Sequence, residues 1–416
     1  MNGKLNVVEL FAGVGGFRLG LEKADADFFK TVWANQWEPS KKAQHAFDCY
    51  ASHFEEGIKS NEDISTVPDS VFQNLNIDLL VGGFPCQDYS VARSLSGEQG
   101  LQGKKGVLFW EIKRVLENSH PKYVLLENVD RLLKSPSKQR GRDFAVMLAT
   151  FRDLNYIVEW RVINAAEYGA AQKRRRVFIF AYKSTLDYAA KQLSIPKNNI
   201  LFNEGFFAKT FPVMDEPYQN RMSTVELPND VLEISDEFSF NFYSSGLMVN
   251  GEILTAQTQV LNENYIPLKN ILVEEDTIDE SYYLTEATAE KFAYLRGPKK
   301  IERTSTEGHK YIFSEGGMSP TDDLNGPGRT MLTSEGSVNR STHIVEVAGR
   351  KRLLTPVECE RLNGFPDNWT EGMPKRMRYF CMGNALVVSL IKTMGEQIKK
   401  IDLTEQIENT QLKFLL

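Results

Sequence analysis

Apolar, strand-like runs alternate with helical patterns along the first 185 residues, and no other feature of the sequence limits the fold so strongly. The strand-like runs lie at 5–10, 29–35, 77–83, 122–129, 157–163 and 175–182. The helical patterns lie at 17–24, 38–53, 107–118 and 142–154. This alternation predicts an α/β fold with a doubly wound, mostly parallel sheet whose strands are buried on both faces. No helical pattern separates the last two runs, so we expect them to pair antiparallel at one edge of the sheet.

The alternation breaks down after residue 185, where short polar segments, turn signals and acidic stretches replace it until about residue 349. A chain of 416 residues is too long for one small core, so a second domain is expected. We predict a first domain over 1–185 and a smaller, irregular, β-rich domain over 186–376. Residues 377–416 should form a C-terminal amphipathic helix that returns to the first domain.

The residue usage argues against a disulfide, a metal site and a membrane span. The four cysteines have no CxxC spacing and the five histidines have no ligand spacing. No apolar run approaches the roughly 18 residues that span a bilayer, and the N-terminus does not resemble a signal peptide. We therefore expect a cytoplasmic protein with no membrane partner.

Charge is distributed unevenly along the chain. The net charge is −6, yet basic residues concentrate in 104–142, 161–176 and 296–352, while 215–280 is strongly acidic. Basic patches on an acidic protein fit a DNA-binding cleft. They fit ordinary solvated faces equally well, so charge alone does not decide between the two interpretations.

Residues 7–22, VVELFAGVGGFRLGLE, combine a strand, a glycine-rich turn and a helix. Glycines let a ligand approach the backbone, and the helix N-terminus offers oriented N–H groups. The spacing is not the dinucleotide pattern G-x-G-x-x-G, and Glu9 beside the turn can attract a cation. We expect a nucleotide-like cofactor on this turn, although a merely tight structural turn would share the spacing. The candidate contacts are Phe11, Ala12, Gly13, Gly15 and Gly16.

Two further strand ends carry side chains that suit an adenosyl ligand. Gln36 and Trp37 follow the second strand, where a ribose-reading side chain and an adenine cover are expected. Asp63 and Ile64 lie in the next loop, where the carboxylate can accept from an exocyclic amine. A core tryptophan and a helix-capping aspartate are the ordinary alternatives. Gln36 also departs from the acidic residue that usually holds ribose hydroxyls.

Cys86 directly follows Pro85 at the end of an apolar run in DLLVGGFPCQDYS, residues 78–90. A core cysteine would lie inside the run, and a disulfide would need a partner. The position instead favours a reactive sulfur held at the mouth of a cleft.

These motifs resemble those of the bacterial DNA (cytosine-5) methyltransferases. The resemblance covers residues 5–182 and about 350–390 and includes, in the family's order, FAGVGG, PCQ, ENV, QKRRR, RLLTPVECERLNGFPDNW and GNAL. It implies the S-adenosylmethionine-dependent methyltransferase fold, S-adenosylmethionine as methyl donor and cytosine in duplex DNA as acceptor. It also implies cofactor contacts from Pro85, Leu108, Asn384 and Ala385, the last where relatives often have serine.

Methylation of cytosine at carbon 5 needs residues of the kinds seen here. Carbon 5 is a poor nucleophile until a thiolate adds at carbon 6, which is the task expected of Cys86. The family assigns the proton for the ring nitrogen to the position of Glu127 in ENV, with Asn128 positioning the loop. Arg174 and Arg176 lie two apart on one strand, where they can clamp a phosphate and the cytosine carbonyl. A solvated basic strand is the alternative for the arginines.

The resemblance makes the region between QKRRR and RLLTP a target recognition domain. The candidate DNA contacts, drawn from this domain, from the loop after Cys86 and from QKRRR, are Gln87, Ser90, Arg93, Gln172, Arg329, Thr330, Thr333, Asn339 and Arg340. The acidic 215–280 stretch is expected to face away from DNA. The target base must leave the stack to reach Cys86, so base flipping is also expected.

Three functions remain open on the sequence. The first is a monomeric DNA methyltransferase that protects a specific duplex site from a partner restriction endonuclease. The second is a tRNA cytosine-5 methyltransferase with the same catalytic parts, against which the large variable region argues. The third, a DNA-binding regulator without activity, is disfavoured because the catalytic set is complete.

Overall fold

A computed structural model describes residues 3–39, 41–84, 108–305 and 308–415, with side chains as far as residue 407. The chain divides into two compact units. The large unit comprises Met1–Tyr168, Arg175–Glu263 and Val388–Leu416. The small unit comprises Gly169–Arg174 and Asn264–Val387.

The large unit is built on a sheet of ten strands in the part of the chain that the structure describes. Its strands are β1 Leu5–Leu10, β2 Phe29–Asn35, β3 Ile58–Ser60, β4 Leu79–Gly83, β5 Tyr123–Val129, β6 Tyr156–Asn164, β7 Arg175–Lys183, β8 Met222–Glu226, β9 Ser245–Val249 and β10 Glu252–Ala256. They are arranged in the order β3-β2-β1-β4-β5-β7-β6-β9-β10-β8.

The predicted fold class is confirmed, with one correction to the position of the antiparallel pair. Strands β3, β2, β1, β4 and β5 are parallel neighbours, as expected for βαβ units. Strands β6 and β7 pair antiparallel, as predicted. They do not form the edge, because β9 pairs with β6 and β10 and β8 extend the sheet further. Strands β8, β9 and β10 were not predicted, because the apolar pattern of residues 222–256 is weak.

Thirteen helices lie in the part of the chain that the structure describes, ten of them in the large unit. In chain order they are α1 Gly16–Asp25, α2 His45–His53, α3 Asp69–Asn74, α4 Leu108–Ser119, α5 Arg142–Asp153, α6 Asp187–Leu193, α7 Lys197–Asn199, α8 Phe206–Thr210, α9 Val231–Glu237, α10 Glu286–Arg296, α11 Pro356–Leu362, α12 Lys375–Asn384 and α13 Val388–Leu415. Amphipathic α4 and α5 bury their apolar faces, including Ile112 and Phe144, in the main core of the large unit. No helix among the described residues is both long and apolar enough to cross a membrane.

The C-terminal helix α13 packs against α1 in the large unit. Gly20 of α1 allows this close approach, because a Cβ there would lie 2.5 Å from the Cβ of Ile391. Lys399 and Asp25 form an ion pair between the same helices. The segment that follows the small unit in sequence therefore belongs to the fold of the large one.

The small unit contains two antiparallel strand pairs, β11 Lys299–Thr304 with β12 Lys310–Glu315 and β13 Ile344–Val347 with β14 Arg350–Leu353. Its helices are α10, α11 and α12. Helix α11 begins with a capping box, in which Thr355 and Glu358 satisfy each other's backbone N–H groups. Glu358 also forms a fully buried ion pair with Arg352 at 2.8 Å.

The division into units differs from the predicted domain boundary at residue 185. Residues 186–263 belong to the large unit because β9 pairs along β6. Residues Gly169–Arg174 belong instead to the small unit, because Gln172 forms a β-bridge with Gly328. Which of these segments reads DNA remains a prediction from the resemblance.

Candidate active site

The glycine turn follows β1 directly and has an unusual backbone. Phe11 (φ 56°), Gly13 (φ 57°) and Gly15 (φ 90°) all lie in the left-handed region, which only glycine adopts without strain. A Cβ at Gly15 would lie 2.4 Å from the Phe54 ring, so packing requires that glycine. A Cβ at Gly13 would meet nothing within 4 Å. Gly15 is therefore structural, whereas Gly13 borders open space that a ligand can fill.

Gln36 and Trp37 continue this surface at the end of β2. The Gln36 side-chain oxygen accepts a hydrogen bond from the Gly13 N–H at 2.8 Å. This contact ties the second strand to the turn, a task that the sequence analysis did not assign to Gln36. Trp37 is 37% exposed, which excludes the alternative of a core tryptophan and leaves its ring available to a ligand.

Asp63 matches the ordinary alternative that was considered for it. Its Oδ1 accepts from the Ser65 N–H at 3.0 Å and from the Ser65 hydroxyl at 2.8 Å, which caps the short helical turn Ile64–Thr66. The cap occupies one carboxylate oxygen and holds the loop in place. Contact of Asp63 or Ile64 with a cofactor remains a prediction.

Glu9 lies under the glycine turn and is fully buried. Its Oε2 accepts from the Tyr50 hydroxyl at 3.1 Å, while its Oε1 has no hydrogen-bond partner among the described residues. Burial raises the pKa of Glu9 to about 8, against the lowering effects of the Tyr50 hydrogen bond and of Arg18. A buried carboxyl group with an unsatisfied oxygen is rare unless a ligand or function uses it.

These four features together fit an adenosyl ligand with a cationic centre. The space at Gly13 admits the ligand, Trp37 offers an exposed ring, and Gln36 holds the turn. The Glu9 carboxyl group can satisfy or balance positive charge nearby. The residues of the large unit therefore suit the predicted cofactor.

Glu127 and Arg176 meet at the same end of the sheet. Glu127 lies near the end of β5 and Arg176 near the start of antiparallel β7, which brings both to one edge. The Arg176 Nε lies 2.8 Å from the Glu127 Oε1, and their side chains are 17% and 13% exposed. Gly83, the register partner of Glu127 on β4, leaves room for this carboxyl group. The structure thus assembles the predicted acid with one of the two predicted arginines.

Asn128 anchors the chain that leads to the predicted nucleophile. Its side-chain nitrogen donates to the Phe84 carbonyl at 2.9 Å, and the amide is buried. Phe84 precedes Pro85 and Cys86 in sequence, so the bond fixes the chain at the point where the Cys86 loop begins. Pro85, Cys86, Gln87, Ser90 and Arg93 lie outside the described residues. Leu108, at the start of α4, is half-buried.

Arg174 has a different role from the one predicted. It is 1% exposed and donates to the carbonyl oxygens of Met331, Gly383 and Asn384, all in the small unit. Gly383 and Asn384 end α12, whose terminal carbonyls favour a cation. Arg174 therefore holds the small unit together here, and a clamp that uses both arginines is not assembled in the structure.

Comparison with known proteins places this geometry in a family. A family model described as C-5 cytosine-specific DNA methylase matches residues 5–400. The type II methyltransferase M.Sau3AI of Staphylococcus aureus is 60% identical over 410 residues, which cover 99% of each chain. The chain belongs to the C-5 cytosine-specific DNA methylase family. The predicted family and enzyme class, a DNA (cytosine-5)-methyltransferase, are confirmed.

More distant proteins agree with this assignment. The type II methyltransferase M.HhaI of Haemophilus parahaemolyticus is 26% identical, with 95% of this chain and 94% of that protein covered. The crystal structure of a DNMT2 triple mutant from Spodoptera frugiperda superposes with a TM-score of 0.60. That match covers 96% of this chain and 99% of the other at 14% identity, so it supports the fold alone.

Within the methylase, Gln172 requires a correction. The sequence analysis placed this side chain on DNA, but it is fully buried in the small unit. Its nitrogen donates to the Asn363 side chain and its oxygen accepts from the Met331 N–H, each at 2.9 Å. Both ends of the amide are thus satisfied internally, and Gln172 positions the residues that follow Arg329.

Asp322, a residue that the sequence did not single out, holds the predicted recognition segment 326–343. Asp322 accepts from Arg329 and Arg296 and from the Ile344 N–H, the last two at 2.9 and 2.8 Å. Burial of Asp322 opposes its ionisation, but the Arg329 hydrogen bond and neighbouring positive charge lower its pKa to about 2. Arg329 also donates to the Ser341 and Thr342 carbonyls, and its contact with bases or phosphates stays a prediction.

The remaining candidates on this segment divide into bonded and exposed side chains. Thr330 donates to the Lys173 carbonyl, and Asn339 donates to Ser334 and Thr342, both at 2.8 Å. Thr333 is exposed.

Two predicted cofactor contacts lie outside this segment, in the small unit. Asn384 is exposed and Ala385 is half-buried. Contact of these residues with DNA or cofactor stays a prediction.

Proposed function

We propose that this methylase transfers a methyl group from S-adenosylmethionine to carbon 5 of a flipped cytosine in a specific short duplex DNA sequence, through a transient Cys86–cytosine bond. The observation that carries the proposal is the Glu127–Arg176 pair at 2.8 Å. Glu127 precedes Asn128, whose side chain bonds Phe84 where the chain continues toward Cys86. A carboxyl group and a guanidinium at one edge of the sheet suit stabilisation of the charge that nucleophilic addition to the ring creates.

The proposed cofactor contacts begin with the glycine turn. Phe11 to Gly16 would hold S-adenosylmethionine, with Trp37 over its adenine and Gln36 at the ribose. Asp63, Ile64, Pro85, Leu108, Asn384 and Ala385 complete the set that the family resemblance implies. When bound, S-adenosylmethionine supplies a methyl group activated by its sulfonium charge.

Cys86 performs the nucleophilic step in this proposal. Its thiolate adds to carbon 6 of cytosine, which breaks the aromatic system and gives carbon 5 the electron density to accept a methyl group. The base proton at carbon 5 is then lost, and the carbon–sulfur bond breaks to restore the aromatic ring. Asn128 would contribute indirectly, because its hydrogen bond holds Phe84, which lies two residues before Cys86 in the sequence.

Glu127 and Arg176 stabilise the charge that develops on the ring. Addition of the thiolate is uphill unless the ring nitrogen next to the carbonyl is protonated or hydrogen-bonded. We assign this donation to Glu127, which must first take up a proton from solvent because it is ion-paired with Arg176 in the structure. Arg176 would orient the carboxyl group and bind the cytosine carbonyl oxygen. The distance between the two side chains allows both to contact one small ring.

The partner in this proposal is duplex DNA with a specific site, and a monomer suffices because each strand can be methylated separately. A protective role beside a restriction endonuclease follows from the resemblance to type II methyltransferases. Recognition would use the exposed part of 326–343, including Thr333.

The test is methyl transfer from labelled S-adenosylmethionine, with duplex DNA and tRNA compared as acceptors. The expected result is incorporation into duplex DNA that is lost in Cys86→Ala, and bisulfite sequencing of that DNA would identify the target site. Transfer to tRNA alone would support the alternative RNA function. Unchanged transfer in Cys86→Ala would exclude the mechanism.

A further inference from the structure

The small unit carries an exposed two-stranded ribbon, β11 with β12, that no step of the proposed function uses. Six residue pairs join the strands, from Lys299 opposite Glu315 to Thr304 opposite Lys310. Because side chains alternate along a strand, the ribbon has two faces. The outer face, as defined here, consists of Lys300, Glu302, Thr304, Lys310, Ile312 and Ser314.

The outer face is open along its whole length. Every one of its side chains is exposed, and Ile312 in its centre is 70% exposed. The Lys310 Nζ lies 3.2 Å from the Glu302 Oε1, with side chains 76% and 65% exposed, so this ion pair is solvated and opens at little cost. Ile312 is thus a large apolar side chain open to solvent, with lysines and hydroxyl groups around it on the same face.

The opposite face gives the ribbon the stiffness that a free hairpin lacks. Two-stranded hairpins are marginally stable alone in water. Ile301 and Phe313 are half-buried register partners on this face, and the Arg303 guanidinium lies 4.0 Å from the centre of the Phe313 ring. Lys299 adds an ion pair to Glu315 at 3.2 Å. These contacts support the ribbon from the side opposite its outer face.

Arg340 joins the base of the ribbon to the recognition segment 326–343. Its guanidinium donates to the Leu295 carbonyl at 2.8 Å and to the Gly316 carbonyl, and it pairs with Glu315 at 3.1 Å. Arg340 was predicted to contact DNA, but these bonds make it the anchor of the ribbon. The ribbon and the recognition segment are therefore neighbours within one compact unit.

We infer that the outer face of this ribbon enters the major groove of the duplex beside the target site, as a second reading element for the proposed methyl transfer. The major groove is wide enough for a two-stranded β-ribbon. The ribbon strands carry four lysines and arginines against two glutamates, which suits phosphates. Thr304 and Ser314 offer hydroxyls to base edges, and Ile312 can contact a thymine methyl group.

The charge part of the inference is tested with the double substitution Lys300→Ala and Lys310→Ala. Loss of two phosphate contacts should weaken binding of the target duplex at least tenfold and reduce the slope of log affinity against log salt by about 1.8. The KM for DNA should rise while kcat at saturating DNA stays within about twofold. The matched control is Lys351→Ala with Lys375→Ala, which removes the same charge from β14 and α12 and should change neither quantity.

The proposed contact of Ile312 with a base is tested with Ile312→Ser, which leaves the charge of the ribbon unchanged. The ratio of affinities for target and non-target duplexes should fall about tenfold, with the thermal unfolding temperature unchanged because the side chain is exposed. Wild-type binding, salt slope and discrimination in both ribbon variants would overturn the inference. Loss of self-association instead would assign the face to a protein partner and also overturn it.

The inference rests on the proposed function, but the two can fail separately. Wild-type methyl transfer to duplex DNA with unaffected ribbon variants would leave the function intact and remove the ribbon from it. Ribbon-dependent DNA binding without any methyl transfer by the wild type would do the reverse.

Discussion

At the scale of single residues, strand ends bring together the side chains that we propose for the chemistry. Glu127 and Arg176 come from neighbouring antiparallel strands, and Gly83 on the next strand has no side chain to fill the space beside them. Gln36, just after β2, meets Gly13 of the turn after β1 in the same way. Apolar runs locate the strand ends, while the predicted roles of Glu127 and Arg176 came from the family resemblance.

Glu127→Gln is expected to lower the methyl-transfer rate about a hundredfold to ten-thousandfold, because an amide cannot donate the proton that the ring nitrogen needs. Single-turnover kinetics with labelled donor measure the effect, and DNA affinity should stay within about threefold. Asp130→Asn is the matched control, since Asp130 pairs with the neighbouring Arg175 at 3.3 Å and is well exposed. Equal losses in both variants would contradict the assigned role of Glu127.

Glu9→Gln is expected to change how stability depends on pH. The folded-state pKa of Glu9 is about 8, well above its unfolded value, so the native state holds a proton that the unfolded state releases. The free energy of unfolding of the wild type should therefore decrease as pH rises from about 5 to about 8. The variant lacks this contribution and should gain relative stability across the same range.

Urea unfolding of the cofactor-free protein at about pH 6 and about pH 8 measures this difference. A wild type and variant that respond to pH identically would show that Glu9 is ionised in the fold.

At the scale of elements, partners far apart in sequence decide what the residues do. Asp322 bonds Arg296, 26 residues away, and Gln172 bonds Asn363, 191 residues away. No spacing in the sequence predicts such pairs, so Gln172 and Arg329 were assigned to DNA on the strength of their type and place in a motif. The strands β8, β9 and β10 were missed for a related reason, because they are short and pair with a sheet built from earlier residues.

Asp322→Asn is expected to destabilise the small unit by about 3 kcal/mol, because it leaves the buried Arg296 without its charged partner. The wild-type contribution is present above about pH 4 and is lost as pH falls through the folded pKa of about 2. Hydrogen exchange of residues 316–344 and methylation specificity are the two measurements. Wild-type protection of this segment in the variant would show that Asp322 does not hold it.

At the scale of the whole molecule, the sequence predicted the fold class, the family and the order of the motifs, but not how the chain is shared between the two units. Residues 186–263 extend the large sheet through β8–β10, which lie beyond β6 in the strand order. The acidic stretch 215–280 is divided between the two units, and the expectation that it faces away from DNA stays a prediction. Composition changes mark where a pattern ends, whereas unit boundaries depend on strand pairing.

The central claim is that Cys86 forms a covalent bond to a cytosine with help from Glu127. The most direct measurement is a denaturing gel of the full chain incubated with S-adenosylmethionine and duplex DNA that carries 5-fluorocytosine, whose fluorine blocks release of the enzyme. The wild type should form a stable protein–DNA complex, and Cys86→Ala should form none. An equally stable complex in Cys86→Ala, or no complex in a wild type that methylates ordinary duplex DNA, would contradict the account.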